Sequence, residues 1–253
     1  MLKGKKILVA GAGGLLGSTL SAALLAQGAK VLVADIKLPL MNERLEQQGI
    51  DPRHADVTRV TLDLNDVASV DALFASLDDL DGAVNCTYPR NKRYGARFES
   101  VTLADFNENV SLHLGSSFLF MQQCAKYFER SRRPFSLVNI SSIYGVLAPR
   151  FDVYDDTPMT MPVEYAAIKS ALIHLSKYLA SYVGNSDFRS NCVSPGGIFD
   201  HQPERFLEAY KQYTLGKGML DIKDVTGSIL FLLSDHSTYV NGQNIIVDDG
   251  FSL

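Results

Sequence analysis

No stretch of this sequence is apolar for long enough to cross a bilayer, which needs roughly 20 residues. Cysteine is scarce: Cys86, Cys124 and Cys192 are odd in number and far apart. They form neither a disulfide framework nor a zinc-binding spacing, no metal is expected, and they fit buried thiols in a reducing cytoplasm. Positive charge is not in excess. The net charge of −4 argues against general nucleic-acid binding. There is no internal repeat, no low-complexity tract and no linker, so residues 1–253 read as one domain. The opening MLKGKKILVAGAGG is basic and then apolar, as a signal peptide is. Its apolar run is short and breaks into glycines, which predicts a first strand instead.

What the chain has is alternation. Short apolar runs read as strands: KILVA (6–10), KVLVA (30–34), RVTL (59–62), GAVN (82–85), SLVNIS (136–141), FRSNCVS (188–194) and NIIV (244–247). Helical patterns lie between them, near 15–27, 40–48, 65–77, 104–131, 163–184, 203–214 and 222–234. Continuous apolar strands alternating with helices predict an α/β fold, a doubly wound seven-stranded parallel sheet with helices on both faces. The least regular stretch, 143–163, holds three prolines and reads as a loop.

Gly11-Ala-Gly13-Gly14-Leu15-Leu16-Gly17 follows the first strand and opens the first helix. Glycines there permit a tight turn and let backbone N–H groups approach a pyrophosphate at a helix N-terminus. Asp35 ends the second strand, 18 residues past Gly17. A carboxylate there accepts hydrogen bonds from the adenosine ribose and repels a 2′-phosphate, which favours NAD(H) over NADP(H). Asp63, with Leu64 beside it, follows the third strand. Two roles stay open for it, a contact to adenine or the N-terminal cap of the helix near 65.

Tyr165 and Lys169 stand four residues apart and share one face of a helix. A neighbouring ammonium favours phenolate, so a lowered tyrosine pKa and proton exchange with a substrate alcohol or carbonyl are expected. The same spacing occurs at Tyr88/Lys92 and Tyr213/Lys217, but those pairs enclose Pro89 and Gly216, both poor in a helix interior. Ser142 ends the fifth strand, at the edge where open α/β sheets place ligands, and its hydroxyl can bond a substrate carbonyl. Ser141 beside it is the competing, purely structural serine.

The glycine turn, Asp35, Ser142 and the Tyr165/Lys169 pair, in that order, resemble the short-chain dehydrogenase/reductase family over the whole chain. The resemblance implies a Rossmann fold and hydride transfer to or from a nicotinamide. Tyr165 would be the general acid/base, Lys169 would hold the nicotinamide ribose, and Ser142 would orient the substrate carbonyl. It also implies that Asn85 of VNCTYPR matches the family's Asn-Asn-Ala-Gly strand end. Pro195, Gly196 and Ile198 of SPGGI would line the nicotinamide, and VNGQNIIVDDG (240–250) would help build a homotetramer or homodimer. More narrowly, YPRNKRYG, SIYGVLAPRF, MTMPVEYAAIKS and VNGQNIIVDDGFSL are similar to bacterial oxidoreductases of flagellin modification and nonulosonic-acid (legionaminic-type) sugar pathways.

Three departures accompany the resemblance. The glycines are spaced as in longer sugar-nucleotide epimerases and dehydratases, with Leu15 in place of a second glycine. The family's helix asparagine aligns with His113, with Asn109 one turn earlier. The stretch between Ser142 and Tyr165 is enlarged. The leading expectation is an NAD-dependent oxidoreductase of a secondary alcohol or ketone, a cytoplasmic enzyme with a sugar-derived substrate. The competing readings are an epimerase or dehydratase that uses the cofactor transiently, and a non-catalytic NAD-binding regulator. Substrate loops are expected at about 88–99, 146–163 and 196–218. Arg90, Lys92, Arg93 and Arg97 put four positive charges into eight residues, and Arg150 stands in the enlarged loop. Arg90, Arg93 and Arg150 are therefore expected to bind an anionic group on the substrate.

Overall fold

Alternation along the strands decides which helices cover which face of the sheet. The computed structural model describes residues 1–253. In β1 (Lys6–Ala10), Ile7 and Val9 join one apolar core while Leu8 and Ala10 join the other. The first core is closed by α1 (Leu15–Ala26), α2 (Leu38–Gln47) and α8 (Ile222–Leu233). The second is closed by α3 (Val67–Ala75), α5 (Ser116–Ser131) and α6 (Val163–Val183). Each fully buried Leu, Val or Phe in these layers contributes about 1.5–3 kcal/mol.

The other strands are β2 (Lys30–Asp35), β3 (Val57–Thr61), β4 (Gly82–Asn85), β5 (Phe135–Ile140), β6 (Phe188–Pro195) and β7 (Asn244–Val247). All neighbours pair in parallel, in the order β3-β2-β1-β4-β5-β6-β7. The expected seven-stranded, doubly wound architecture is present. The order reverses between β1 and β4, and ligands bind outside the carboxyl ends of strands at such a switch point. No helix is long and apolar enough to cross a membrane.

Two local expectations are corrected. The helix expected over 104–131 is α4 (Leu103–Asn109), a π-helical turn (Val110–Gly115) and then α5. Such turns widen a helix by one backbone position and concentrate at functional sites. Asp63 does not cap the third helix, because that helix begins two residues later than its pattern predicts. Asp66 is the cap, accepting from the Ala68 N–H, while Asp63 closes a turn with the Asn65 N–H.

A third, smaller core joins segments remote in sequence. Ile143, Tyr144, Val153 and Tyr154 pack on Phe206 and Tyr210 of α7 (Glu204–Lys211) and on Phe251 near the C-terminus. The enlarged 146–163 loop therefore rests on a packed lobe of its own.

Candidate active site

The glycine turn is shaped for close backbone approach. Gly11 has φ +81°, and a Cβ there would stand 2.9 Å from the Cys86 carbonyl carbon. A Cβ on Gly17 would stand 2.2 Å from the Gly11 oxygen. Helix α1 begins at Gly14 with no side-chain cap and no acid in its first turn, whereas α3 and α4 are capped by Asp66 and Thr102. Its first N–H groups and the positive end of its dipole are thus left for an anion. Asp35 sits against this turn, accepting from the Gly13 N–H at 2.9 Å and the Lys37 N–H at 3.1 Å. A dinucleotide fits this cradle: phosphate at the uncapped helix end, ribose at Asp35. Leu64 is buried in the core beneath β3, and Asp63 stands beside it, half-buried.

Ser142, Tyr165 and Lys169 meet at the carboxyl ends of β5 and β6, on the wall of one cleft of about 460 Å³. The two neighbouring serines have different tasks. Ser141 is buried and donates to the Lys169 carbonyl at 2.7 Å, which pins α6 to the end of β5. Ser142 lines the cleft and accepts from the Tyr144 N–H. Gly145 makes this possible, since a Cβ there would meet the Lys169 carbonyl carbon at 2.6 Å.

The Lys169 ammonium donates to the Ile140 carbonyl at 2.8 Å, and burial pulls its pKa down to about 8. The expected lowering of the Tyr165 pKa is not found. Burial raises it, and the Ser142 hydroxyl only partly offsets that. The ammonium lies over the tyrosine ring, 5.5 Å from its centre, and bonds a carbonyl rather than the phenol. Tyr165 is accordingly held as a neutral phenol, ready to donate.

The π-helical turn delivers His113 to the same place. Its ring is buried, its Nδ1 has no partner in the protein, and burial followed by the Lys169 charge lowers its pKa to about 2. It is neutral. Asn109 is committed elsewhere. It exchanges hydrogen bonds with Asn91 and donates to buried Glu164, tying the 88–97 loop to the start of α6. Asn85 is buried behind the wall, donating to Ser117 and accepting from Thr87, so it shapes the strand end without lining the cleft.

Leu15, Leu16, Pro195, Gly196 and Ile198 line the cleft. The three arginines do not. Arg90 lies over the outer Tyr88 ring at 4.9 Å, and Arg93 pairs with Asp105. Arg150 packs 4.3 Å from the Tyr213 ring centre and 5.5 Å from that of Phe251. The charged side chains on the cleft wall are Lys169 and Asp200. Tyr144, Tyr154, Met159, Met161, Phe206 and Met219 build another part of the wall. Sequence reading also missed Tyr88, Gly145 and Tyr210. Tyr88 is set aside in the sequence because its pairing with Lys92 encloses Pro89, and Tyr210 carried no local signal. Its hydroxyl accepts the Gly197 N–H at 2.6 Å, fastening the Pro195–Gly196 turn to α7.

Known proteins resemble the chain over its full length. A family model described as enoyl-(acyl carrier protein) reductase matches residues 11–252. The post-translational flagellin modification protein A of Campylobacter coli is 36% identical over 261 residues, covering 100% of both chains. The 7alpha-hydroxysteroid dehydrogenase of Bacteroides fragilis is 27% identical over 98% of this chain and 95% of its own. A solved short chain dehydrogenase from Leptospira borgpetersenii with bound NAD+ superposes with a TM-score of 0.87 at 30% identity, covering 100% of this chain and 94% of that one.

Proposed function

The chain belongs to the short-chain dehydrogenase/reductase family, and from that premise we propose that it reduces a ketone, or oxidises the matching secondary alcohol, with NAD(H) and with Tyr165 as proton carrier. The observation that carries this reading is the convergence of Ser142, Tyr165 and Lys169 on one cleft wall beside Pro195 and Gly196. The bound nicotinamide would supply or accept the hydride. Ser142 donates a hydrogen bond to the substrate oxygen and keeps it within reach of the phenol. In the reductive direction Tyr165 gives its proton to the developing alkoxide, and in the oxidative direction its phenolate takes one from the alcohol. Lys169 holds positive charge beside the phenol as it ionises and bonds the nicotinamide ribose. His113, neutral and buried, is proposed to support Lys169 from behind through its free Nδ1. Asp35 would repel a 2′-phosphate, so NAD(H) is the proposed cofactor.

For the substrate we propose a sugar derivative of surface or flagellin glycan synthesis, a reading supported by the likeness to a protein named for flagellin modification. Thr160, Asp200 and Gln202 offer polar groups for hydroxyls, and the methionine and aromatic walls suit the C–H face of a ring. With Arg90, Arg93 and Arg150 outside the wall, the ring is proposed to enter uncharged. The same proposal places the enzyme in the cytoplasm as a homodimer or homotetramer. Three free cysteines and the edge strand β7 are consistent with it.

The test is NADH production against a panel of neutral and anionic sugars, alcohols and nucleotide sugars, with Tyr165→Phe as the paired variant. Turnover should fall about 10²–10⁴-fold in that variant while NAD binding by calorimetry is unchanged. Wild-type kcat in Tyr165→Phe, or no turnover of any alcohol or ketone by an NAD-binding wild-type protein, would overturn the reading.

A further inference from the structure

Lys169 is a buried ammonium without a carboxylate partner. It takes part in no ion pair, and a buried charge left unpaired is costly. From β5 comes the Ile140 carbonyl, at 2.8 Å. From β6 comes Cys192 and from the end of β4 comes Cys86, both thiols pushed up by burial, to about 11 and about 12, and so uncharged. From the π-helical turn comes neutral His113. From its own helix comes Tyr165, a neutral phenol. What remains is a pair of aromatic rings. The ammonium lies 5.5 Å from the centre of the Tyr165 ring and 5.7 Å from that of Tyr88. The two rings meet edge to face, with centres 5.6 Å apart and planes at 83°. A cation within about 6 Å of an aromatic face is attracted by the ring's negative quadrupole, most strongly where water is excluded.

We propose that Tyr88 is a positioning residue for the reaction: its ring, with that of Tyr165, forms a two-sided aromatic seat that holds the Lys169 ammonium and fixes the angle of the Tyr165 phenol. The ring itself is held on three sides. Its edge meets His113 at 5.2 Å, its hydroxyl bonds the Tyr94 hydroxyl, and the Arg90 guanidinium lies over it at 4.9 Å. Because the hydroxyl is turned toward Tyr94, the ring face and not the oxygen performs the task. The inference accounts for the clustering of Tyr88, Tyr94 and His113 around a lysine that bonds only one carbonyl. It rests on the proposed role of Lys169, but its test needs no substrate.

The experiment reads the Lys169 titration directly. Lysine labelled with ¹³C at Cε is followed by NMR across pH 6–11 in the whole protein, and the Lys169 signal is identified by its loss in Lys169→Met. Removing the ring in Tyr88→Leu should disfavour the charged form and move the Lys169 midpoint down by about one unit, a tenfold change in its protonation equilibrium. Tyr88→Phe should leave it in place. Mono-, di- and trifluorinated phenylalanine at position 88 keep the ring's shape while withdrawing its negative face, so the midpoint should fall stepwise with fluorine number. With a substrate in hand, the alkaline limb of the kcat/KM profile should move in the same direction in Tyr88→Leu and stay put in Tyr88→Phe. An unmoved midpoint across the fluorinated series overturns the proposal even if Tyr88→Leu misfolds. So does a Tyr88→Phe variant shifted as far as Tyr88→Leu. A stepwise shift in a protein that turns over no alcohol would uphold the aromatic seat and leave only the proposed reaction refuted.

Discussion

Residues 11–17 and residues 146–163 both deliver lining to one cleft, yet they are held in opposite ways. The glycine turn is shaped by its own backbone, with φ +81° at Gly11 and Gly17 packed so closely that no Cβ fits. Nothing from distant parts of the chain is needed to give it that form beyond the neighbouring strand ends. The 146–163 loop, which holds no glycine, has a single left-handed residue, Asp156 at φ 59°. It is held by side chains from elsewhere: Tyr154 on Phe206, Arg150 on Tyr213 and Phe251, and Asp152 bonded to Tyr213. Asp249 accepts the N–H groups of Gly216, Lys217 and Gly218, which fastens the other half of the lobe to the C-terminal tail. One side of the cleft is thus made of main chain, and the other of exchangeable side chains. Substitutions can retune the second without disturbing the first.

The contrast can be broken most severely at Gly17. A Cβ placed 2.2 Å from the Gly11 oxygen must displace the turn, so Gly17→Ala should weaken NAD binding by more than about 100-fold, as calorimetry would show. Retained affinity would mean that the turn is not the cradle.

On the lobe side, Phe251→Ala removes a fully buried ring stacked 4.3 Å from Tyr210, a deletion worth about 3–5 kcal/mol. The loss should appear as a lower melting temperature and a substrate KM raised at least about tenfold, with NAD affinity within about threefold of wild type. An equal loss of NAD affinity would dissolve the distinction between the two regions.

His113 lies between them and gives a pH test. Its folded pKa is lowered to about 2, while the unfolded chain titrates near 6.5. The unfolded state therefore binds the extra proton first, and the stability from the neutral ring is lost as pH falls below about 6.5. His113→Leu should flatten the decline in melting temperature between about pH 6.5 and 4. A decline as steep as wild type would remove His113 from that balance.

A smaller effect is expected at the Pro195–Gly196 turn. Tyr210→Phe keeps the lobe packed but leaves the Gly197 N–H without its acceptor, a loss of about 1 kcal/mol. NAD affinity should fall about fivefold with little change in substrate KM, and the reverse pattern would place Tyr210 wholly in the lobe. The least effect is expected for Arg90→Ala. Its guanidinium lies outside the cleft wall, so substrate KM should change less than about twofold. A large rise would restore the arginine patch to substrate binding.

What could be read from the sequence follows the same division. The strands and helices were legible because each carries its own period, and even the shortest, NIIV, appears at the residues its pattern marks. The break at Val110–Gly115 was not legible. SLHLGSSF keeps helical spacing, and the π-helical widening shows only in backbone geometry. Ser141 and Ser142 are identical in type and adjacent in sequence. Both line the cleft, and what separates them is that Ser141 donates to the Lys169 carbonyl on another element while Ser142 accepts from the Tyr144 N–H.

By itself the sequence determined the doubly wound parallel fold, the glycine turn and the Tyr165/Lys169 pair, because each depends on contacts within a few residues or on one repeating pattern. Only the tertiary structure decided how the phenol titrates, where the arginines end and what surrounds the lysine. Spacing along the chain puts an ammonium near Tyr165, but burial raises the phenol while a carbonyl from β5 and the face of Tyr88 engage the ammonium. The arginines follow the same logic. A charge run in sequence has no direction until other residues offer it a partner, and here Tyr88, Asp105, Tyr213 and Phe251 do so, leaving the arginines off the cleft wall. Desolvation and the choice among competing partners are properties of all the groups packed around a side chain. Most of those groups lie far from it in sequence.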